Sequence, residues 1–436
     1  MGSAPLSVDS TAFKFSGTTH ADVVAAFPRY QKLMFPHPVP KSTGEAAAGL
    51  SGCTITVKNT TQLLQLETDE SYTLKVASGG CTISSETYVG ALRALETLSQ
   101  LIMFNFDTQT YSIASAPVEI DDQPRFHHRE VLVDTSRHFE PVETLKSLID
   151  SLTYGKINVI HWHLVDQQSF PFDSKSRPLL SQKGAYSPQE RYTELDVAEV
   201  VEYGRARGVR MMVEIDGPGH AAIWCKGYPE ICPSGAPDGK PSCTEPLNPA
   251  TNATYELLDD LMQDLTGGVR GTGLFPDNVV HLGGDEVNTA CYESTPSIAK
   301  WLKQKGLTAD GGYEDFVKKY QAIAHSKGRD VAGWEEIWHH FGKPAPLTVP
   351  LTVTRPTQVC GVTLAACGSQ ARSWTRARSS TSGSAARPPC QTSPPTATAV
   401  SGRRMESGTW TASPRPGRPC TCRSHARASR RRTSTW

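Results

Sequence analysis

From Thr352 to Trp436 the chain has no Lys, Ile, Phe, Tyr, Asn or Asp, and only one Leu and one acid, Glu406. So little apolar material cannot bury a core, and a disordered segment is expected there. Fourteen Arg against that single acid give the segment +13; the whole chain sums to zero, so the residues before it carry −13. No apolar stretch reaches the ~18 residues of a membrane-spanning helix. The start, Met1-Gly2-Ser3-Ala4-Pro5-Leu6, shows no basic region or apolar run of a signal peptide, and Leu6 breaks the myristoylation pattern. Cys225, Cys232, Cys243 and Cys291 lack the close pairs of a structural zinc site, so disulfides and an oxidising compartment are the better expectation. The sequons Asn59-Thr60-Thr61 and Asn252-Ala253-Thr254 point the same way.

The remaining length is ample for a large core. Residues 1–122 read as a small α+β domain. Alternation marks strands at Cys53–Val57 and Tyr72–Val76, and apolar residues every three positions mark a helix over Ser85–Leu101 with Ser85 as its N-cap. Asp121-Asp122-Gln123-Pro124 reads as a linker. Over residues 123–345 apolar strands alternate with amphipathic helices. The strands are expected at Glu130–Asp134, Ile157–Val165, Val209–Ile215, Asn278–Leu282 and Asp330–Trp334. That alternation predicts a parallel sheet covered on both faces, with chemistry at the carboxyl ends of its strands. Residues 346–436 form the basic low-complexity tail.

Polar constellations fall at every one of those ends. Gly283-Gly284-Asp285-Glu286 places two adjacent carboxylates after a buried strand, where one can protonate a departing alkoxide and the other steady positive charge on a sugar. Five such placements disfavour an ordinary surface turn. Arg137 can clamp ring hydroxyls through its fork of donors, or equally form an ion pair with Asp134. Asp166 and His220 can form a relay that sets a third group's pKa, or His220 can simply be satisfied in a polar cleft. Trp334 offers an indole face for the C–H face of a pyranose, whereas Trp162 and Trp224 fit a core better. His161 and His163 share one face of a strand, but no third metal ligand is evident.

In order, Asp134-Thr-Ser-Arg137-His138, His161-Trp-His-Leu-Val-Asp166, Glu214-Ile-Asp-Gly-Pro-Gly-His220, His281-Leu-Gly-Gly-Asp-Glu-Val287 and Gly333-Trp334-Glu-Glu336 resemble the catalytic barrel of family 20 glycoside hydrolases, the β-N-acetylhexosaminidases. The resemblance covers roughly residues 50 to 340. It implies a (β/α)8 barrel, of which about five βα units are recognisable, behind the small domain. It also implies retaining, substrate-assisted cleavage, in which the substrate's 2-acetamido oxygen attacks the anomeric carbon. By that resemblance Glu286 is the acid/base and Asp285 orients the acetamido group. Asp166 and His220 support Glu286, Arg137 binds ring hydroxyls and Trp334 lines the acetamido pocket. Cys243 and Cys291 lie where eukaryotic members carry a disulfide. No metal or cofactor is implied. The expected partners are N-acetylhexosamine-terminated oligosaccharides or glycoconjugates and a second copy in a homodimer, with no nucleic acid; the expected compartment is lysosomal or secreted.

After about Lys343 the motifs stop, although three strand–helix units remain to be supplied, and the last tyrosine is Tyr320. The family's acetamido-binding tyrosine and its later Glu and Trp therefore have no counterpart placed by a motif. The missing Lys, Asn, Ile, Phe and Tyr are those with AT-rich codons. That favours an out-of-frame reading of a GC-rich coding sequence over a basic arm for nucleic acid or acidic lipid. The rival functional expectation is an inactive fragment that at most binds sugar.

Overall fold

A computed structural model describes residue 2, residues 4–40, 49–233, 243 and 245–342, and the backbone of 363–364. The expected basic tail lies outside the described residues except for that two-residue stretch. Ahead of the catalytic-type segment, two sheets enclose their own buried cluster. One has three antiparallel strands (Ala4–Val8, Thr110–Ala116, Ile102–Asn105) and the other has five strands, including Gly52–Val57, Tyr72–Ala77 and Gly80–Ser85. The helix Tyr88–Leu101 lays Val89, Leu92, Leu95 and Leu98 into that cluster.

Two expectations are corrected here. Thr87, not Ser85, caps this helix by accepting from Gly90 N, because Ser85 still belongs to the strand that pairs with Tyr72. Asp121 and Asp122 are not linker: they end a strand, Val118–Asp122, paired antiparallel with Thr73 and Tyr72. Polar side chains on a strand's outer face hide it from a pattern search that needs apolar alternation.

From Glu130 onward five parallel strands follow one another in chain order: Glu130–Asp134, Val159–Val165, Arg210–Ile215, Val279–His281 and Asp330–Gly333. Thr363–Leu364 adds a short antiparallel pairing to the fifth. Helices Val142–Tyr154, Glu194–Arg205, Asn252–Thr266 and Ala309–Ser326 alternate with them. This is the α/β class with about five βα units of a barrel. Ile160, Trp162 and Leu164, Met211 and Val213, and Val280 and Val331 point outward into the core shared with these helices. The opposite faces are mixed in character. Among the described residues Val159, Met212, Val279 and Ala332 make an apolar layer, and one residue pair further along the face is occupied by histidines and a glutamate.

The two cores are joined by buried charge. Glu70 accepts from Arg93 Nε (2.7 Å), Arg129 Nη2 (2.7 Å) and Asn158 Nδ2 (2.7 Å), and Arg93 Nη2 reaches Gly208 O (2.7 Å). Gln65 adds a pair of bonds to Pro276 O and Asn278 N. Among the described residues no helix is long and apolar enough to cross a membrane.

Candidate active site

Parallel pairing brings distant residues into one row: Asp134 is in register with His163, His163 with Glu214, Glu214 with His281, and His281 with Ala332. The residues expected from the sequence to form the site lie at or just beyond that row. After His281 the chain turns through Gly283 and Gly284, at φ 65° and 94°. A Cβ on Gly283 would sit 1.6 Å from Asp216 Oδ1, so glycine is required there for steric as well as conformational reasons. The Asp216 carboxyl caps the turn by accepting from Gly284 N at 2.8 Å, and the Tyr313 hydroxyl donates to Gly284 O. Asp216 is fully buried, and burial first, then the Glu214 and Asp285 carboxylates, push it well above the usual carboxylate range.

The turn delivers Asp285 and Glu286 to opposite environments. Glu286 has 74 % of its side chain exposed and its Oε2 lies 3.5 Å from His220 Nε2. Asp285 is only 22 % exposed, with Oδ2 3.7 Å from the same nitrogen. Its Oδ1 is buried and has no hydrogen-bond partner among the described residues. Glu286 and His220 both stand at positive φ, 50° and 56°, in the left-handed region that non-glycine residues seldom occupy.

Behind them Asp166 and His220, expected from the sequence to form a relay, lie side by side. Asp166 is completely buried and lies 3.3 Å from His220 Nδ1, 2.7 Å from His163 Nε2 and 2.7 Å from Arg137 Nη2. Burial pushes its carboxyl up, but the His163 and His220 contacts outweigh this and hold it down at about 2. The Asp166 bond raises His220 against the effect of burial. Arg137 forms the ion pair with Asp134, with Nη1 2.8 Å from Oδ2, while its side chain remains 34 % exposed.

Sequence reading assigned no role to Glu214, although it stands in a quoted motif. Its side chain is fully buried, with Oε2 accepting from His161 Nε2 (2.7 Å) and His163 Nδ1 (2.5 Å) and Oε1 accepting from Trp334 Nε1 (2.9 Å). His281 Nδ1 lies 2.9 Å from the same Oε1. Burial opposes ionisation, yet these neighbours keep the carboxyl well below its ordinary value. Burial also opposes charging the histidines, but Glu130 and Glu214 lift His161 to about 9, and Asp166 and Glu214 lift His163 to about 10. Trp334 stacks on His161 at 5.6 Å and meets His281 edge-on at 4.8 Å. Trp162 and Trp224 are fully buried in the core, as expected. His161, Glu214 and His281 converge closely enough to suggest a metal set, but the Glu214 oxygens are already engaged by donors from three side chains.

Cys243 and Cys291 are disulfide-bonded. So are Cys225–Cys232 and Cys53–Cys81, and the last pair joins directly registered residues of parallel strands. That third pairing had no motif to announce it.

Comparison with known proteins agrees with this layout. Residues 126–369 match the model of "Glycosyl hydrolase family 20, catalytic domain", reaching past Lys343 where the motifs end, and residues 2–101 match "beta-acetyl hexosaminidase like". Beta-hexosaminidase 1 of Arabidopsis thaliana is 39% identical over 364 residues, covering 78% of this chain and 64% of that protein. Beta-hexosaminidase subunit alpha of Bos taurus is 38% identical, covering 74% and 61%. Among solved structures, the chitobiase of Flavobacterium johnsoniae has a TM-score of 0.64 at 28% identity, covering 77% of this chain and 50% of that one. The exo β-N-acetylglucosaminidase of Vibrio harveyi, in complex with N-acetylglucosamine, has a TM-score of 0.62 at 25% identity, covering 77% and 53%. The chain spans between 54% and 64% of the length of the first curated relatives it matches. On the family match and the order of its strand-end residues, the chain belongs to glycosyl hydrolase family 20.

Proposed function

We propose that the chain is an exo-acting β-N-acetylhexosaminidase that removes terminal β-linked GlcNAc or GalNAc from oligosaccharides and glycoconjugates. The observation that carries this reading is the contrast within one pair of acids: Glu286 open to solvent, Asp285 with a buried oxygen lacking a partner among the described residues. A buried acceptor of that kind costs free energy unless a donor comes to it. The N–H of a 2-acetamido group supplies one.

In this reading Asp285 accepts that N–H and turns the acetamido oxygen toward the anomeric carbon. The oxygen's lone pair forms the new bond to C1 as the C1–O bond to the leaving group breaks, and Glu286 transfers its proton to the departing oxygen. The resulting oxazolinium carries positive charge beside Asp285. Glu286, now a carboxylate, takes a proton from water attacking C1, so the acetamido oxygen leaves and the β configuration is retained. Asp166 and His220 hold and polarise Glu286, Arg137 binds ring hydroxyls and Trp334 lines the acetamido pocket.

Residues 1–122 and 123–345 are proposed to act as a small accessory domain and the catalytic domain. The three disulfides among the described residues support a lysosomal or secreted compartment, and a homodimer is the proposed assembly. A second reading, a sugar-binding fragment without turnover, is favoured by the first barrel strand: Leu132 is 42% exposed, and the strand has a neighbour on one side only among the described residues. Release of chromophore from an aryl β-N-acetylglucosaminide separates the two. Turnover by the wild type that Glu286→Gln abolishes supports the enzyme; no turnover by either, with sugar binding kept, supports the fragment.

A further inference from the structure

We propose that Glu214 is a positioning residue that fixes both halves of the site at once: the Trp334 wall through its indole N–H, and the proton relay to Glu286 through His163, Asp166 and His220. This rests on the hexosaminidase reading above. Oε1 takes the indole at 2.9 Å, while Oε2 takes His163 Nδ1 at 2.5 Å. The other His163 nitrogen is 2.7 Å from Asp166, which faces His220 Nδ1 at 3.3 Å, and His220 Nε2 points at Glu286 at 3.5 Å. Three side chains thus separate this buried carboxylate from the acid/base, and it touches the sugar wall directly.

A neutral side chain cannot replace it. His163 faces Glu214, Asp166, Asp216 and Arg137, and His161 faces Glu214 and Glu130. Removing the Glu214 charge leaves His163 between a retained Asp166 and the Arg137 guanidinium, so its second N–H loses the anion that holds it. The neutral imidazole can then take either tautomer, so its donor to Asp166 is no longer fixed and the orientation of His220 loosens. The Trp334 indole meanwhile shares an amide oxygen with two histidines.

The test compares the wild type with Glu214→Gln, His163→Gln and Trp334→Phe, each checked for a native near-ultraviolet spectrum. Histidine titrations and the indole N–H signal of Trp334 are followed by NMR, and kcat and KM are measured across pH. The expectation is that Glu214→Gln shifts both the His163 titration and the Trp334 N–H signal. It should also lower kcat/KM by about tenfold to a hundredfold, with a displaced pH profile. His163→Gln should lower kcat with KM kept, and Trp334→Phe should mainly raise KM. If Glu214→Gln does not fold, wild-type titration of His163 below neutrality, or kcat unchanged in His163→Gln, overturns the proposal. NMR signals that move while kcat, KM and the pH profile stay as in the wild type reduce Glu214 to a structural residue and overturn it too. A wild type that neither binds nor cleaves an N-acetylglucosaminide, yet whose two signals shift in Glu214→Gln, sinks the hexosaminidase reading and leaves the double anchoring supported.

Discussion

His220 and Glu286 hold left-handed backbone conformations that a free chain would leave, so neighbours must hold them there. The Gly283–Gly284 turn does this for Glu286, with Asp216 filling the space a Cβ would take. Gly283→Ala should therefore cost on the order of 2–4 kcal/mol, read as a lowered denaturant midpoint, because either the turn or the Asp216 carboxyl must move. The His163–Asp166 pair sets a pH window. Asp166 is held down at about 2 from 3.8, so its contribution is present above about 4 and is lost as pH falls toward 2. His163 is raised from 6.5 to about 10, so its contribution is complete below 6.5 and is lost as pH rises through 10. Melting temperature against pH should decline on both sides of that window, and Asp166→Asn should flatten both limbs. The acids, the histidine and the arginine of the proposed site could be picked out because each sits next to a strand signal in a motif. Asp216 and Glu214 carry the same letters but act through neighbours 68 and 120 positions away, which no local pattern displays.

At the level of elements, periodicity located the four helices between barrel strands, since each buries one apolar stripe. Thr193 closes a capping box with Asp196, satisfying two backbone N–H groups at the start of Glu194–Arg205. Thr193→Ala should cost about 1 kcal/mol without touching activity, which separates helix stability from the site in one comparison of melting and turnover. The strands were found as apolar runs, but the partners of their inward-facing polar residues were not. Alternation along Val159–Val165 puts Ile160, Trp162 and Leu164 toward the helices and His161 and His163 toward the Glu214 carboxylate. A run of buried residues reads as apolar on both faces unless the partner that satisfies its polar members is known, and that partner lies on another strand.

At the scale of the whole molecule, Glu70 ties the small α+β part to the barrel through Arg93, Arg129 and Asn158. Removing it strands one buried cation, Arg93, and one half-buried cation, Arg129. Glu70→Ala should lower stability by about 3–5 kcal/mol, measured by denaturant unfolding, far more than loss of an exposed pair. The order of the barrel was readable because parallel strands follow the chain, whereas this joint between Glu70 and residues up to 88 positions away was not.

The central claim, that the acetamido group of the substrate is the nucleophile held by Asp285, is tested most directly by weakening that nucleophile. Rates of aryl β-glycoside cleavage should be measured for the N-acetyl, N-trifluoroacetyl and 2-hydroxy forms of one sugar. The account predicts a fall of at least about a hundredfold on fluorination and no cleavage of the 2-hydroxy form. Equal rates for all three would contradict it.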